Sequence, residues 1–129
     1  MSENFNTEII SPEKVLLRDK TESVTIPSFE GEMTILANHI SLITFLRPGI
    51  ITIKTNIEKK FYVEEGTVEF SNNSLLILTS TAIDLKNLEK KSITNLLEES
   101  EKKLKDNNFT DKEKYILSYK IDTLKEINQ

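Results

Sequence analysis

The glycines and prolines of this 129-residue chain all lie before residue 67, and this confinement limits what each part can form. Glycine and proline interrupt helices and mark turns, so the front is divided by turns while the remainder can sustain long helices. The six residues are Gly31, Gly49, Gly66, Pro12, Pro27 and Pro48. Charge divides similarly, with 8 basic and 12 acidic side chains in residues 1–87 and 9 of each in residues 88–129. The sequence therefore predicts two domains, 1–87 and 88–129.

Apolar residues of the front part recur at every second position, which is the period of a strand with one buried face. The alternating positions, apolar except for Thr7, are Phe5, Thr7 and Ile9; Val15 and Leu17; Val24 and Ile26; Met33 and Ile35; Ile51 and Ile53; Phe61 and Val63; Val68 and Phe70. The runs leave no room for the helices that connect parallel strands, which argues against a doubly wound sheet. We predict an antiparallel β-sandwich of about ten short strands.

Residues 88–129 have the 3.6-residue period of two amphipathic helices. The first is predicted over 88–105, with Asn87 as its N-cap. The turn-forming segment 106–108 follows, and the second helix begins at Thr110, which has capping-box spacing to Glu113. So short a connection forces the two helices into an antiparallel hairpin. Its apolar stripe must then be buried against itself, the sandwich or another protein.

The residue types argue against most kinds of active site. With no cysteine and one histidine, the chain has no thiolate chemistry and no multi-histidine metal site. Its glycines are too far apart for a phosphate-binding loop, and its adjacent acidic pairs point in different directions. The net charge of -4 argues against nucleic acid as a partner. We predict a binding or structural protein with no catalytic residue, no metal and no cofactor.

Two further features of the sequence bear on location. The longest apolar run, Leu75–Leu78, has four residues, whereas a membrane-spanning helix needs about 20. The first residues, Met1–Asn4, lack the basic-then-apolar order of a secretory signal.

Three side chains have two interpretations each. His39, the single histidine, is interpreted as a loop-surface residue or as a contact with a partner protein. Tyr115 and Tyr119 are one helical turn apart, which indicates either packing within the hairpin or an aromatic stripe that faces a partner.

Several segments of the front part occur in the same order as the turns and strands of a known protein family. They are Ile9–Leu16, Val24–Pro27, Gly31–Thr44, Leu46–Gly49, Glu65–Phe70 and Leu75–Thr79. Together with the length and the two-helix tail, they resemble the epsilon subunit of F-type ATP synthases. This chain departs from the family's pattern at four places. Thr34 stands where the family has a loop glycine, Ala37-Asn38 where it has Pro-Gly, Ile40-Ser41 where it has Ala-Pro, and Glu65-Gly66 where it has two glycines. Because Asn38 tolerates the left-handed backbone conformation, we expect the same loop.

The resemblance implies a subunit without its own active site, in the rotating central stalk between the gamma subunit and the membrane-embedded c-ring. Its sandwich would contact both partners, with Gly31–Thr44 towards the c-ring and Glu32 and His39 as polar contacts there. The complex would lie at the inner (plasma) membrane, with this subunit peripheral on the cytoplasmic side. The protein would therefore meet the membrane only through its partners.

The resemblance also implies a regulatory hairpin, in which Tyr115 and Tyr119 take part. In the family, this hairpin folds against the sandwich or extends along gamma into the alpha/beta hexamer, where it blocks ATP hydrolysis. The second helix has lysines but no arginine, so we expect weak inhibition. Some family members bind ATP through an acidic residue followed three positions later by Arg-Ala. Glu89 can stand for the acid here, but Ser92 and Ile93 replace the pair, so we expect no useful ATP binding.

Two other functions are compatible with the residue pattern. One is a small-ligand-binding β-sandwich with a helical dimerisation hairpin, which predicts a stable homodimer. The other is an enzyme that uses His39 as a lone base, in which His39→Ala would abolish activity.

Overall fold

The computed structural model of the chain describes residues 3–128. Met1 and Ser2, which open the segment considered for a signal, and Gln129, at the end of the predicted hairpin domain, lie outside the described residues. The strands are β1 (Phe5–Ile10), β2 (Val15–Thr21), β3 (Ser23–Ser28), β4 (Gly31–Leu36), β5 (Leu42–Leu46), β6 (Gly49–Lys54), β7 (Glu58–Val63), β8 (Gly66–Ser71), β9 (Ser74–Leu78) and β10 (Ile83–Asp84). A 3₁₀ turn (Leu85–Asn87) leads to the helices α1 (Lys90–Leu104) and α2 (Asp111–Ile127).

The ten strands form one curled sheet that encloses the core. Their order is β10-β7-β6-β3-β5-β8-β9-β1-β2, and β4 pairs with β3 outside this path. Every pair is antiparallel except β1 with β9, where Asn6 lies opposite Ser74 in a parallel register. The predicted fold, a sandwich of about ten strands followed by a two-helix hairpin, is confirmed.

The alternation of apolar residues places most of these side chains in the core. The buried members include Phe5, Ile9, Val24, Ile26, Ile35, Ile51, Ile53, Phe61, Val63, Val68 and Phe70. Thr7 is also buried, and its hydroxyl bonds that of Thr21 at 2.7 Å, which satisfies both groups away from water.

Val15 departs from the predicted pattern, because it is 44% exposed while Leu17 is buried. The register of β1 against β2 shifts between Ile9 and Ile10, so Leu17 lies opposite Ile9 but Val15 lies opposite Ile10. This β-bulge adds one residue to β2 and turns Val15 to the outer face of the sheet.

The first helix begins later than predicted, at Lys90, and the prediction of Asn87 as its N-cap is wrong. A 3₁₀ turn occupies Leu85–Asn87, and the Asp84 carboxylate caps it by accepting from the Lys86 backbone N–H at 3.0 Å. Asn87 therefore ends one element instead of starting the next.

The capping box of α2 is confirmed. The Thr110 hydroxyl accepts from the Glu113 backbone N–H at 3.1 Å, and the Glu113 carboxylate accepts from the Thr110 backbone N–H at 3.0 Å. Two N–H groups that the helix leaves without internal partners are thereby satisfied.

Replacing Thr110 by alanine is expected to lower the stability of the hairpin by about 1 kcal/mol, because the cap hydroxyl is lost. The pKa of Glu113 is lowered because its carboxylate accepts hydrogen bonds from Thr110, chiefly from the backbone N–H. That contribution is complete above the ordinary glutamate pKa and is lost as pH falls through the lowered value. Alanine keeps the backbone N–H that contributes most to the lowered pKa, so urea unfolding followed by circular dichroism should show a difference from the parent that changes little in acid. Thr110→Ser is the control, and an equal loss in both variants would contradict the assignment.

Candidate functional site

The described residues present exposed apolar surfaces of the kind that bind other proteins. Among residues 3–128, no group of three or more His, Cys, Asp or Glu side chains is arranged to hold a metal ion. Within the same range, neither helix is long and apolar enough to cross a membrane. Several large apolar side chains are exposed instead, and contiguous exposed apolar area marks an interaction site.

The clearest such surface is an apolar row that crosses five strands in register on the outer face of the sheet. The row runs from β5 through β8, β9 and β1 to β2; its apolar members are Phe45, Leu78, Ile10 and Val15, and the threonine Thr67 lies between Phe45 and Leu78. Phe45 is 58% exposed, and Leu78 is 45% exposed. The bulge in β2 contributes to this surface, because it brings Val15 to the same side.

The rows beside it become progressively more polar. The next row contains Ile43, which is 73% exposed, and Leu76 between Glu69 and Glu8. Glu8 is paired with Arg18 at 2.8 Å. The following row is polar throughout, with Ser71, Ser74, Asn6 and Lys20. An apolar centre with a polar rim on one side is the arrangement found in protein–protein interfaces.

Glu32 and His39 lie at opposite ends of β4, and the structure does not bring them together. Glu32 lies opposite Pro27 beside the β3–β4 turn, with its side chain exposed, whereas His39 follows Leu36 at the far end. At about 3.3 Å per residue, Glu32 and Leu36 alone are roughly 13 Å apart. They therefore offer two separate contact points.

His39 lies in a half-buried loop position. Its Nδ1 donates to the Ile40 carbonyl at 2.8 Å, and its ring meets the Phe70 ring edge-on with 6.0 Å between centroids. Asn38 has a φ of 66°, in the left-handed region expected of it, and its side-chain oxygen accepts from the Asn73 amide at 3.0 Å. The loop is thus tied to the β8–β9 turn, and Ile40 is left 80% exposed at its tip.

Tyr115 and Tyr119 are in contact, with 2.6 Å between their hydroxyl oxygens and 5.0 Å between ring centroids. The hydrogen bond from Tyr119 raises the pKa of Tyr115. Tyr119 packs against the sandwich, where the Arg47 guanidinium lies over its ring at 4.2 Å from the centroid. Tyr115 is 55% exposed. Tyr119 is therefore a packing residue between the hairpin and the sandwich, and Tyr115 is exposed beside it.

The hairpin is folded against the sandwich around Tyr62 of β7. Tyr62 is 1% exposed and packs with Ile93 of α1 and Leu124 of α2. Its hydroxyl donates to the Glu64 carboxylate at 2.9 Å, and Lys120 of α2 pairs with the same oxygen at 3.3 Å. Burial, with the nearby Glu64 charge, raises the pKa of Tyr62.

Sequence reasoning did not identify Arg47, Tyr62 or Glu64 as part of any site. The available signal was the run Phe61-Tyr62-Val63, in which all three side chains are buried. A half-buried strand alternates, so three consecutive apolar residues indicate that something covers the second face. Here the hairpin covers it.

Beyond this contact, a groove of about 550 Å³ separates the start of α2 from the sheet. Phe29, Phe45 and Gly66 line it from the sandwich, and Lys112 and Ile116 line it from α2. Phe45 also ends the apolar row, so the groove and the row form one continuous surface.

Comparison with known proteins identifies relatives over the whole chain. A family model described as "ATP synthase, Delta/Epsilon chain, beta-sandwich domain" matches residues 4–85. The ATP synthase epsilon chain of Pelagibacter ubique is 47% identical over 130 residues, which cover 99% of this chain and 100% of that one. The ATP synthase epsilon chain of Rhizobium etli (strain CIAT 652) is 34% identical over 108 residues, covering 82% and 80%.

Two cryo-EM structures share the fold. A chain of the Euglena gracilis mitochondrial ATP synthase, in an OSCP/F1/c-ring structure, aligns with a TM-score of 0.77 at 18% identity, covering 95% of this chain and 78% of that one. A chain of the Tetrahymena thermophila mitochondrial ATP synthase central stalk/c-ring aligns with a TM-score of 0.66 at 15% identity, covering 99% and 98%.

Proposed function

Because the chain belongs to the family of ATP synthase epsilon chains, we propose that it is a non-catalytic subunit of the rotating central stalk. It joins the gamma subunit to the c-ring and so couples proton flow to ATP synthesis. The observation that carries this proposal is the apolar row, because a surface of that kind on a sandwich with a filled core serves protein contact. We prefer this function to the ligand-binding and lone-base alternatives, because the chain belongs to the epsilon-chain family.

The gamma subunit binds the apolar row. Phe45, Leu78 and Val15 are exposed along one line, and a partner that covers them removes apolar area from water. The polar rows beyond Ile43 form the rim of this interface. A closely packed sandwich deforms little, which suits a part that transmits torque.

The c-ring contacts the Gly31–Thr44 segment. Glu32, near the start of β4, and His39, in the loop after its end, are its polar contacts, and the exposed Leu36 lies between them in the chain. The subunit is held at the inner (plasma) membrane through this contact, on the cytoplasmic side, and does not enter the membrane. It binds no nucleic acid.

Residues 88–129 form a separate regulatory domain that exchanges its docked position for an extended one in the alpha/beta hexamer. Tyr119 holds the docked position and Tyr115 faces the partner. Inhibition is weak, because α2 contributes lysines alone as cations. The hairpin does not use ATP, since Ser92 lacks the forked donors of arginine and Ile93 is 4% exposed in the contact with Tyr62.

Removing residues 88–129 is expected to leave capture of gamma intact, because the proposed gamma interface lies on the sandwich. ATP hydrolysis is expected to change by less than about twofold, because weak contacts of the extended hairpin with the hexamer can shift the hairpin to the extended state only slightly. The test reconstitutes the truncated and full chains with gamma, the catalytic hexamer and the c-ring. Circular dichroism checks that the truncated sandwich is folded. A large rise in hydrolysis would contradict weak inhibition, and failure of the full chain to capture gamma would contradict the stalk function.

A further inference from the structure

The contact between the hairpin and the sandwich includes two polar attachments on adjacent residues of α2. Tyr119 lies beneath the Arg47 guanidinium, 4.2 Å from the ring centroid. Lys120 pairs with Glu64 at 3.3 Å. Neighbouring helix residues point about 100° apart, so the sandwich contacts two sides of the same turn of α2.

The sandwich side of the first attachment is held mainly by bonds within the sandwich itself. The Arg47 backbone N–H donates to the Pro27 carbonyl at 2.9 Å, and one guanidinium nitrogen donates to the Pro48 carbonyl at 3.0 Å. Gly49 packs so closely that an added Cβ would lie 2.4 Å from Pro27. Pro48 also accepts from the Thr123 hydroxyl of α2 at 3.4 Å. The loop therefore presents Arg47 in a preset position.

The second attachment is partly shielded from water. The Lys120 side chain is 16% exposed and the Glu64 side chain 31%. Glu64 also accepts from the Tyr62 hydroxyl at 2.9 Å, so the anion is oriented from the sandwich side. Removing its charge would leave Lys120 half-buried without a counter-ion, which is unfavourable in the docked state alone.

We propose that Arg47 and Glu64 form a clasp on Tyr119 and Lys120 that makes the docked hairpin the resting state without any bound nucleotide. The population of the docked state is a property of the isolated chain, whereas its effect on ATP hydrolysis rests on the proposed function. Because half of the clasp is ionic, salt favours release.

The test measures the docked fraction by single-molecule energy transfer on the full chain. The chain has no cysteine, so Thr67→Cys and Lys112→Cys provide two unique labelling positions on opposite walls of the groove. Transfer is high when α2 is docked and low when it is detached. Arg47→Ala is expected to raise the ratio of detached to docked molecules roughly three- to tenfold, from the strength of a cation–π contact.

Three further variants separate the causes. Arg47→Lys keeps the charge but loses the planar stacking, and an intermediate increase is expected. Glu64→Gln keeps an acceptor for Tyr62 but removes the charge, and an increase of roughly three- to tenfold that is smaller in high salt is expected. Arg18→Ala is the matched control, because it breaks a 2.8 Å ion pair between β1 and β2. No change is expected in that variant.

The proposal is overturned if Arg47→Ala and Glu64→Gln leave the docked fraction equal to that of Arg18→Ala. Thermal unfolding of the sandwich is recorded for each variant, so that a general loss of structure is distinguished from release. ATP hydrolysis of the assembled enzyme should change by less than about twofold in the same variants, as for removal of the hairpin. A larger change would contradict the weak inhibition of the proposed function, while a lowered docked fraction would still support the clasp.

Discussion

Replacing Leu78 by aspartate is expected to weaken binding of the chain to the gamma subunit by at least about thirtyfold. Leu78 is the central apolar member of the row, between Ile10 of β1 and Thr67 of β8, and it is 45% exposed in the free chain. A carboxylate at this position would be buried by the partner without a counter-charge, which costs far more than the lost apolar contact. Titration of labelled gamma with each variant measures the change.

Ile57→Asp is the control for this result. Ile57 is similarly exposed, at 56%, but lies in the β6–β7 turn outside the apolar row. Its replacement by the same acid should leave the affinity within about twofold of the parent, as for substitutions away from an interface centre. If both variants lose affinity equally, or if Leu78→Asp binds normally while folded, the row is not the gamma interface.

Replacing Phe70 by alanine is expected to lower the free energy of unfolding by about 3–5 kcal/mol, which is a large share of the stability of a domain this size. Phe70 is 1% exposed, and its ring meets Phe5 edge-on with 5.6 Å between centroids. The His39 ring rests on it from the loop side. The variant should therefore lose both core packing and the support of that loop.

Urea unfolding measures the change, and Phe70→Leu serves as the control. Leucine keeps most of the apolar volume, so a loss of about 1 kcal/mol is expected. The His39 imidazole signals in nuclear magnetic resonance should shift in both variants, because each removes the aromatic ring. Equal stability of Phe70→Ala and the parent would contradict the assigned core.

The sequence was sufficient for the elements whose signals are local. Alternation located the core strands, and the Thr110–Glu113 spacing located the start of α2. The prediction of Asn87 as the N-cap of α1 is wrong because asparagine favours N-caps and turns alike. In the structure, the Asp84 side chain caps a 3₁₀ turn that ends at Asn87. The exposure of Val15 depends on a register shift against β1, and register is a property of two strands that neither sequence run contains.

The candidate site was less accessible to sequence reasoning. The apolar row combines residues from five strands that are distant along the chain, so no spacing could reveal it. Glu32 and His39 were assigned to one partner because the family resemblance places the whole Gly31–Thr44 segment towards the c-ring, whereas the extended strand β4 separates them in space. Arg47 is an isolated cation in the sequence and gives no signal of a site. Its contact with Tyr119 is visible only in the docked arrangement of the hairpin.

The parallel pairing of β1 with β9 also has a consequence for biosynthesis. Asn6 cannot pair with Ser74 until that residue, 68 positions further along the chain, has been synthesised. This pairing closes a long loop, and it forms only when most of the strands of the sheet have been made. At about 5–20 residues per second, Ile9 remains without its final neighbour for roughly 3 to 14 seconds on the ribosome. The first strand is thus the segment that most needs protection from premature association while the chain is being made.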